Sequence, residues 1–123
     1  MDLQEYFENA KGMGVIATAG GEGEVNVAVY SRPHFLEDGS LAFIMRDRLT
    51  HHNLQSNPHA AYLFVEEGSG FKGKRLHLTK IKEEENIELI QNLARREYKD
   101  EKAGSRFLVS FKVDKVLPLI GAE

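Results

Sequence analysis

The chain has 123 residues, 41% hydrophobic and 28% charged, which suits one domain with a single buried core and excludes a disordered or low-complexity chain. Its 16 Lys and Arg against 19 Asp and Glu leave a net charge of −3, with no overall attraction to a nucleic-acid backbone or an anionic membrane. The absence of cysteine excludes disulfides, thiol catalysis and thiolate metal sites, and with no signal-like N-terminus or 18-residue apolar run the cytoplasm is the default expectation.

Leu3, Tyr6, Phe7 and Ala10 recur at helical spacing and are followed by Lys11 and Gly12, which predicts a short amphipathic helix with a basic residue and glycine at its end. Residues 13–19 are β-compatible and meet the glycine-rich turn Gly20–Glu24, so a hairpin leads into a second strand over 25–31, where Val25, Val27, Val29 and Ser31 alternate with Asn26, Ala28 and Tyr30. Pro33 marks an edge, a bulge or a strand end, and Glu37-Asp38-Gly39-Ser40 reads as a turn. Leu41–Met45 predicts a third strand buried on both faces. The polarity then changes at Arg46-Asp47-Arg48-Leu49-Thr50-His51-His52-Asn53, where Thr50 is the expected N-cap of a one- or two-turn helix stopped by Asn57-Pro58.

Residues 60–67 predict a fourth strand and 75–82 a fifth, joined by a glycine loop. Glu83-Glu84-Glu85 is expected to open the one long helix, with Ile87, Leu89, Ile90, Leu93 and Ala94 inward and Arg95, Arg96 and Lys99 at its C-terminal end, in accord with the helix dipole. A last strand over 106–117 alternates Phe107, Val109, Phe111 and Val113 with Leu108, Ser110, Lys112 and Asp114. The expectation is a single domain over 1–123, mainly β, with six antiparallel strands in a closed or nearly closed barrel and three accessory helical pieces.

The segment Arg46 to Asn53 holds the parts of an anion site: two guanidinium groups, a hydroxyl and the unpaired N–H groups of a helix start. The alternative is a capped surface helix with two solvated arginines. His51 and His52 point about a quarter turn apart on a helix, so they are poorly placed to share a metal ion, and solvent-facing or phosphate-assisting roles are preferred to ligation. Gly68-Ser69-Gly70-Phe71-Lys72-Gly73 spells a dinucleotide fingerprint, but a strand rather than a helix is expected after it, so a mobile hairpin loop is the preferred reading.

The order of elements and the run Arg46-Asp47-Arg48-Leu49-Thr50-x-x-Asn53-Leu54-x-x-Asn57-Pro58 resemble the pyridoxamine 5′-phosphate oxidase-like FMN-binding split-barrel family, in particular its compact bacterial branch. The resemblance spans almost the whole chain and implies a six-stranded, Greek-key-like split barrel. It implies that FMN is the cofactor, its phosphate held around Arg46, Asp47, Arg48, Leu49, Thr50 and Asn53, with Val29, Tyr30 and Ser31 along the flavin ring; Tyr30 also reads as a half-buried barrel residue. Where relatives often carry a lysine before the threonine this chain has Leu49, leaving Arg46 and Arg48 as the cations. The arginine-rich C-terminal segment of the true oxidases is not found, so pyridoxamine phosphate oxidation is not expected.

The resemblance further implies a homodimer with the flavin at the interface, where Phe71 with Lys74 or Arg75 could cover a neighbour's flavin. It implies an oxidoreductase or an electron carrier served by a nicotinamide or a redox protein, while no residue stands out as a catalytic acid or base. Haem replaces flavin in some split-barrel relatives, which makes a non-enzymatic haem- or ligand-binding sensor the alternative. A purely structural barrel without a cofactor is a third reading.

Overall fold

The structure, a computed structural model, describes residues 2–85, 87–93 and 104–121. The elements in chain order are α1 (Leu3–Asn9), β1 (Gly12–Ala19), β2 (Val25–Val29), β3 (His34–Phe35), β4 (Leu41–Arg46), α2 (Leu49–Ser56), β5 (His59–Glu66), β6 (Gly73–Glu85), α3 (Glu88–Leu93) and β7 (Arg106–Pro118). One antiparallel sheet runs in the order β2-β1-β5-β6-β7-β4-β3.

Among the described residues the sheet has seven strands rather than the expected six, because His34–Phe35 pairs with Leu41 and Ala42. The intervening turn makes this pairing possible. Leu36 N–H donates to Ser40 O, Gly39 takes a φ of 86°, and Asp38 Oδ1 accepts from both the backbone N–H and the hydroxyl of Ser40. The outermost strands, β2 and β3, are not paired with each other, so the sheet curls without closing there.

The core inside the curl gathers Ile16, Leu41, Phe43, Met45, Tyr62, Phe64, Leu76, Leu78, Val109 and Phe111. Phe7 of α1 and Leu54 of α2 pack into the same core, so each of these two short helices is held by one buried apolar anchor. As expected, β4 is buried on both faces: Ala42 turns away from that core and packs with Leu108 under Ile90 of α3.

Two local expectations are corrected. Thr50 does not cap α2. Arg48 occupies the N-cap position without a side-chain hydrogen bond, and Thr50 lies buried in the first turn, where its hydroxyl accepts from Asn26 Nδ2 at 3.4 Å. Asn57 does end this helix, its N–H bonded to Asn53 O. The acidic run Glu83-Glu84-Glu85 does not open a helix either. It continues β6, in register with Val109, Leu108 and Phe107 of β7, and α3 starts only at Glu88. Thirteen residues of β7 offer a long ladder, and backbone pairing along it outweighs the weak helix-start signal of three glutamates. Ala94, Arg95, Arg96 and Lys99, expected in the same helix, lie outside the described residues.

Candidate functional site

Where the sheet stays open between β2 and β4, a cleft of about 740 Å³ lies along β2, the end of β4 and the first turn of α2. Val29, Tyr30, Ser31, Arg46, Arg48, Leu49 and Thr50, singled out from two separate stretches of sequence, all line it. Asp47 and Asn53 do not. Asp47 is exposed and its Oδ1 lies 3.3 Å from His51 Nδ1, while Asn53 is buried and donates to Thr18 Oγ1 of β1 at 3.1 Å. Asn53 therefore fastens α2 to the sheet from behind the cleft.

Sequence reading missed Asn26, Ala28, Arg32, His34 and Phe43 in this lining. Strand parity was the available signal. Asn26 and Ala28 alternate with valines that are 67–78% exposed, so on β2 the polar and small residues face inward and the large apolar ones outward. The usual assumption that valines mark the core face is inverted on this edge strand.

The wall at Tyr30 and Ser31 is built with few degrees of freedom. Tyr30 N–H donates to Gly14 O at 2.9 Å, and the buried phenol of Tyr62 donates to the carbonyls of Tyr30 and Ser31, 3.0 and 3.1 Å away. The Tyr30 ring packs edge-to-face on Phe43 with centroids 5.8 Å apart. Arg32 Nη1 donates to the carbonyls of Phe7 and Ala10, tying the chain beyond β2 to the C-terminal end of α1.

Electrostatically the cleft is one-sided. Among the described residues its lining carries Arg32, Arg46 and Arg48 and no carboxylate. Arg46 stands opposite Arg106 in the β4–β7 register. In the first turn of α2 the N–H groups of Leu49, Thr50 and His51 precede the first helical acceptor pair, His52 N–H to Arg48 O, and so have no carbonyl within the helix. Arg46 and Arg48 with these N–H groups can hold a multiply charged oxyanion.

His51 and His52 divide as the quarter-turn argument requires, but His51 is neither solvent-facing nor in the cleft. It is buried, with Nε2 at 2.9 Å from Glu83 Oε2, and its ring stacks on Phe107 at 3.8 Å between centroids. Among the described residues no cluster of three His, Cys, Asp or Glu is placed to hold a metal ion. The glycine loop between β5 and β6 leads into a strand, with Phe71 exposed at its tip. Lys74 and Arg75 are engaged within their own chain, Lys74 Nζ over the Tyr6 ring and Arg75 on the carbonyls of Pro118 and Gly121.

Partial burial works to raise the carboxyl of Glu83, but hydrogen bonds from Gln55, Lys80 and His51 prevail and hold it at about 2. A carboxyl depressed by folding stabilises the fold above its ordinary value of 4.5, and that contribution is lost as the pH falls from there through about 2. Glu83→Gln is accordingly expected to melt below wild type near neutrality, with the gap closing as the pH approaches about 2. Thermal melts by circular dichroism across this range test it, and a gap independent of pH would refute the assignment.

No family model and no curated protein matches this sequence. Solved structures do match in shape. An FMN-binding protein from Syntrophomonas wolfei subsp. wolfei superposes with a TM-score of 0.73 at 16% identity, over 98% of this chain and 85% of that one. A proposed pyridoxamine 5′-phosphate oxidase from Lactobacillus delbrueckii gives 0.68 at 15% identity, over 95% and 92%. An F420 reductase gives 0.67 at 14% identity, over 95% and 98%. The open seam, the strand order and these superpositions agree: the chain has the split-barrel fold of the pyridoxamine 5′-phosphate oxidase-like, FMN-binding proteins.

Proposed function

We propose that the cleft binds FMN and that the protein is a flavoprotein, acting as an oxidoreductase or an electron carrier. The observation that carries this reading is the charge and shape of the cleft: Arg46, Arg48 and a helix start at one end, the wall of β2 with Arg32 toward the other, and no carboxylate among the described lining residues. Its volume of about 740 Å³ lies within the range of roughly 300–1,000 Å³ usual for small-molecule sites. The residues fit a flavin mononucleotide. Arg46, Arg48, Thr50 and the α2 N–H groups would hold the phosphate, and Val29 to Ser31 with Tyr30 and Phe43 would border the ring. Bound FMN supplies the electron- or hydride-transfer chemistry, and the chain supplies placement and positive potential.

The reading includes a homodimer. Directly opposed residues of an antiparallel sheet share a face, so the registers Val29–Val15–Leu63 and Val27–Ala17–Ala61, with Met13 beside Val65, make a continuous apolar outer surface on β2, β1 and β5. An exposed apolar surface of this extent marks an interaction face. Val27 and Val29 belong both to it and to the cleft lining, so a second copy seated there would also wall the cofactor.

A haem-binding sensor is the second reading, favoured by His34, the imidazole in the cleft lining. An absorption spectrum of the purified protein with FMN and haem titrations separates the two. Arg48→Ala and Thr50→Ala are each expected to weaken FMN binding about tenfold or more, the worth of one hydrogen bond to a charged group. A Soret band in place of flavin absorption would favour the sensor, and a protein that binds neither would leave the fold without this function.

A further inference from the structure

The first turn of α2 has to stand in one place for its N–H groups to converge on an anion, yet the helix has eight residues and no side-chain cap. Leu54 and Asn53 anchor its later residues, and a polar tie through His51, which is outside the cleft lining, holds its first turn. His51 Nδ1 reaches back to Asp47 Oδ1 at 3.3 Å, before the helix begins, and Nε2 lies 2.9 Å from Glu83 Oε2 on β6. The ring lies flat on Phe107 of β7, at an interplanar angle of 16°. Glu83 is held in turn by Lys80 Nζ at 2.6 Å and Gln55 Nε2 at 2.9 Å, and Gln55 also donates to the His51 carbonyl. One imidazole thus joins the entry to α2, the helix itself and two strands, while its backbone N–H is among the donors facing the anion end.

We propose that His51 is a positioning residue for the phosphate end of the cleft, fixing the orientation of the α2 donors through Asp47, Glu83 and Phe107 without touching the ligand. This rests on the FMN reading above. Small misplacement of preorganised donors is costly, so the effect should appear selectively on the charged part of the ligand.

Riboflavin, which lacks the phosphate, provides the readout. In His51→Phe the ring stacking on Phe107 can persist while both carboxylate partners are lost. Its expected result is FMN affinity weakened about tenfold with riboflavin affinity unchanged. His51→Gln, which can still donate to Glu83, is expected to recover part of the loss, and the exposed neighbour His52→Ala is expected to match wild type. If His51→Phe does not fold, Glu83→Gln removes the charge at the other end of the tie and is measured in the same way.

Wild type that binds FMN no more tightly than riboflavin would refute the phosphate reading itself. Wild type that discriminates, together with a variant that keeps the same FMN-to-riboflavin ratio, would overturn the role of His51 alone, including the case in which both ligands weaken equally.

Discussion

Gly14→Val is expected to abolish the folded state, and Gly14→Ala to cost about 3 kcal/mol or more in urea unfolding followed by circular dichroism. Gly14 is buried on β1, and a Cβ built there would overlap both the Tyr62 hydroxyl and the Tyr30 carbonyl. Those two groups are hydrogen-bonded to each other, and Tyr30 N–H is bonded to Gly14 O, so no neighbour can yield without breaking the bonds that shape the cleft wall. Gly21→Ala is the control, because its Cβ would meet Ser56 at an ordinary 3.6 Å. A Gly14→Ala protein within about 0.5 kcal/mol of wild type, the range of an unremarkable surface change, would show that the wall relaxes freely.

Leu63→Glu is expected to convert the proposed dimer to a monomer, raising the dissociation constant by at least about a thousandfold in sedimentation equilibrium, because the interface would bury two carboxylates, one from each copy. Leu63 lies on the outer face of β5 in register with Val15, outside the cleft lining. In the separated chain the new carboxylate would face solvent opposite Arg75 of β6, so the monomer should keep its fold. FMN affinity should fall with the dimer if a second copy walls the cofactor. A wild-type monomer, or a dimer indifferent to this charge, would remove the face from consideration as the interface.

The candidate site was legible in sequence because its chemistry is local. A basic and polar run directly after an apolar strand specifies a helix start at a strand end, and Arg46, Arg48, Leu49 and Thr50 do come together there. Their meeting with Val29, Tyr30 and Ser31 was expected only through the family resemblance, since the two stretches are joined by the curl of the sheet rather than by any local pattern. The buried place of His51 was not legible, because its partners Glu83 and Phe107 arrive from strands remote in the chain.

By itself the sequence determined the short first helix, the β1–β2 hairpin, the doubly buried β4 and the position of α2, because periodicity, turn residues and polarity breaks act over a few residues. Tertiary structure alone decided that Glu83–Glu85 extend β6, that the valines of β2 face outward, and that β2 and β3 stay unpaired to leave a cleft. Alternation tells which residues share a face but not which face is covered, and three glutamates suit a helix start and an exposed strand equally well, so pairing with distant strands settles both.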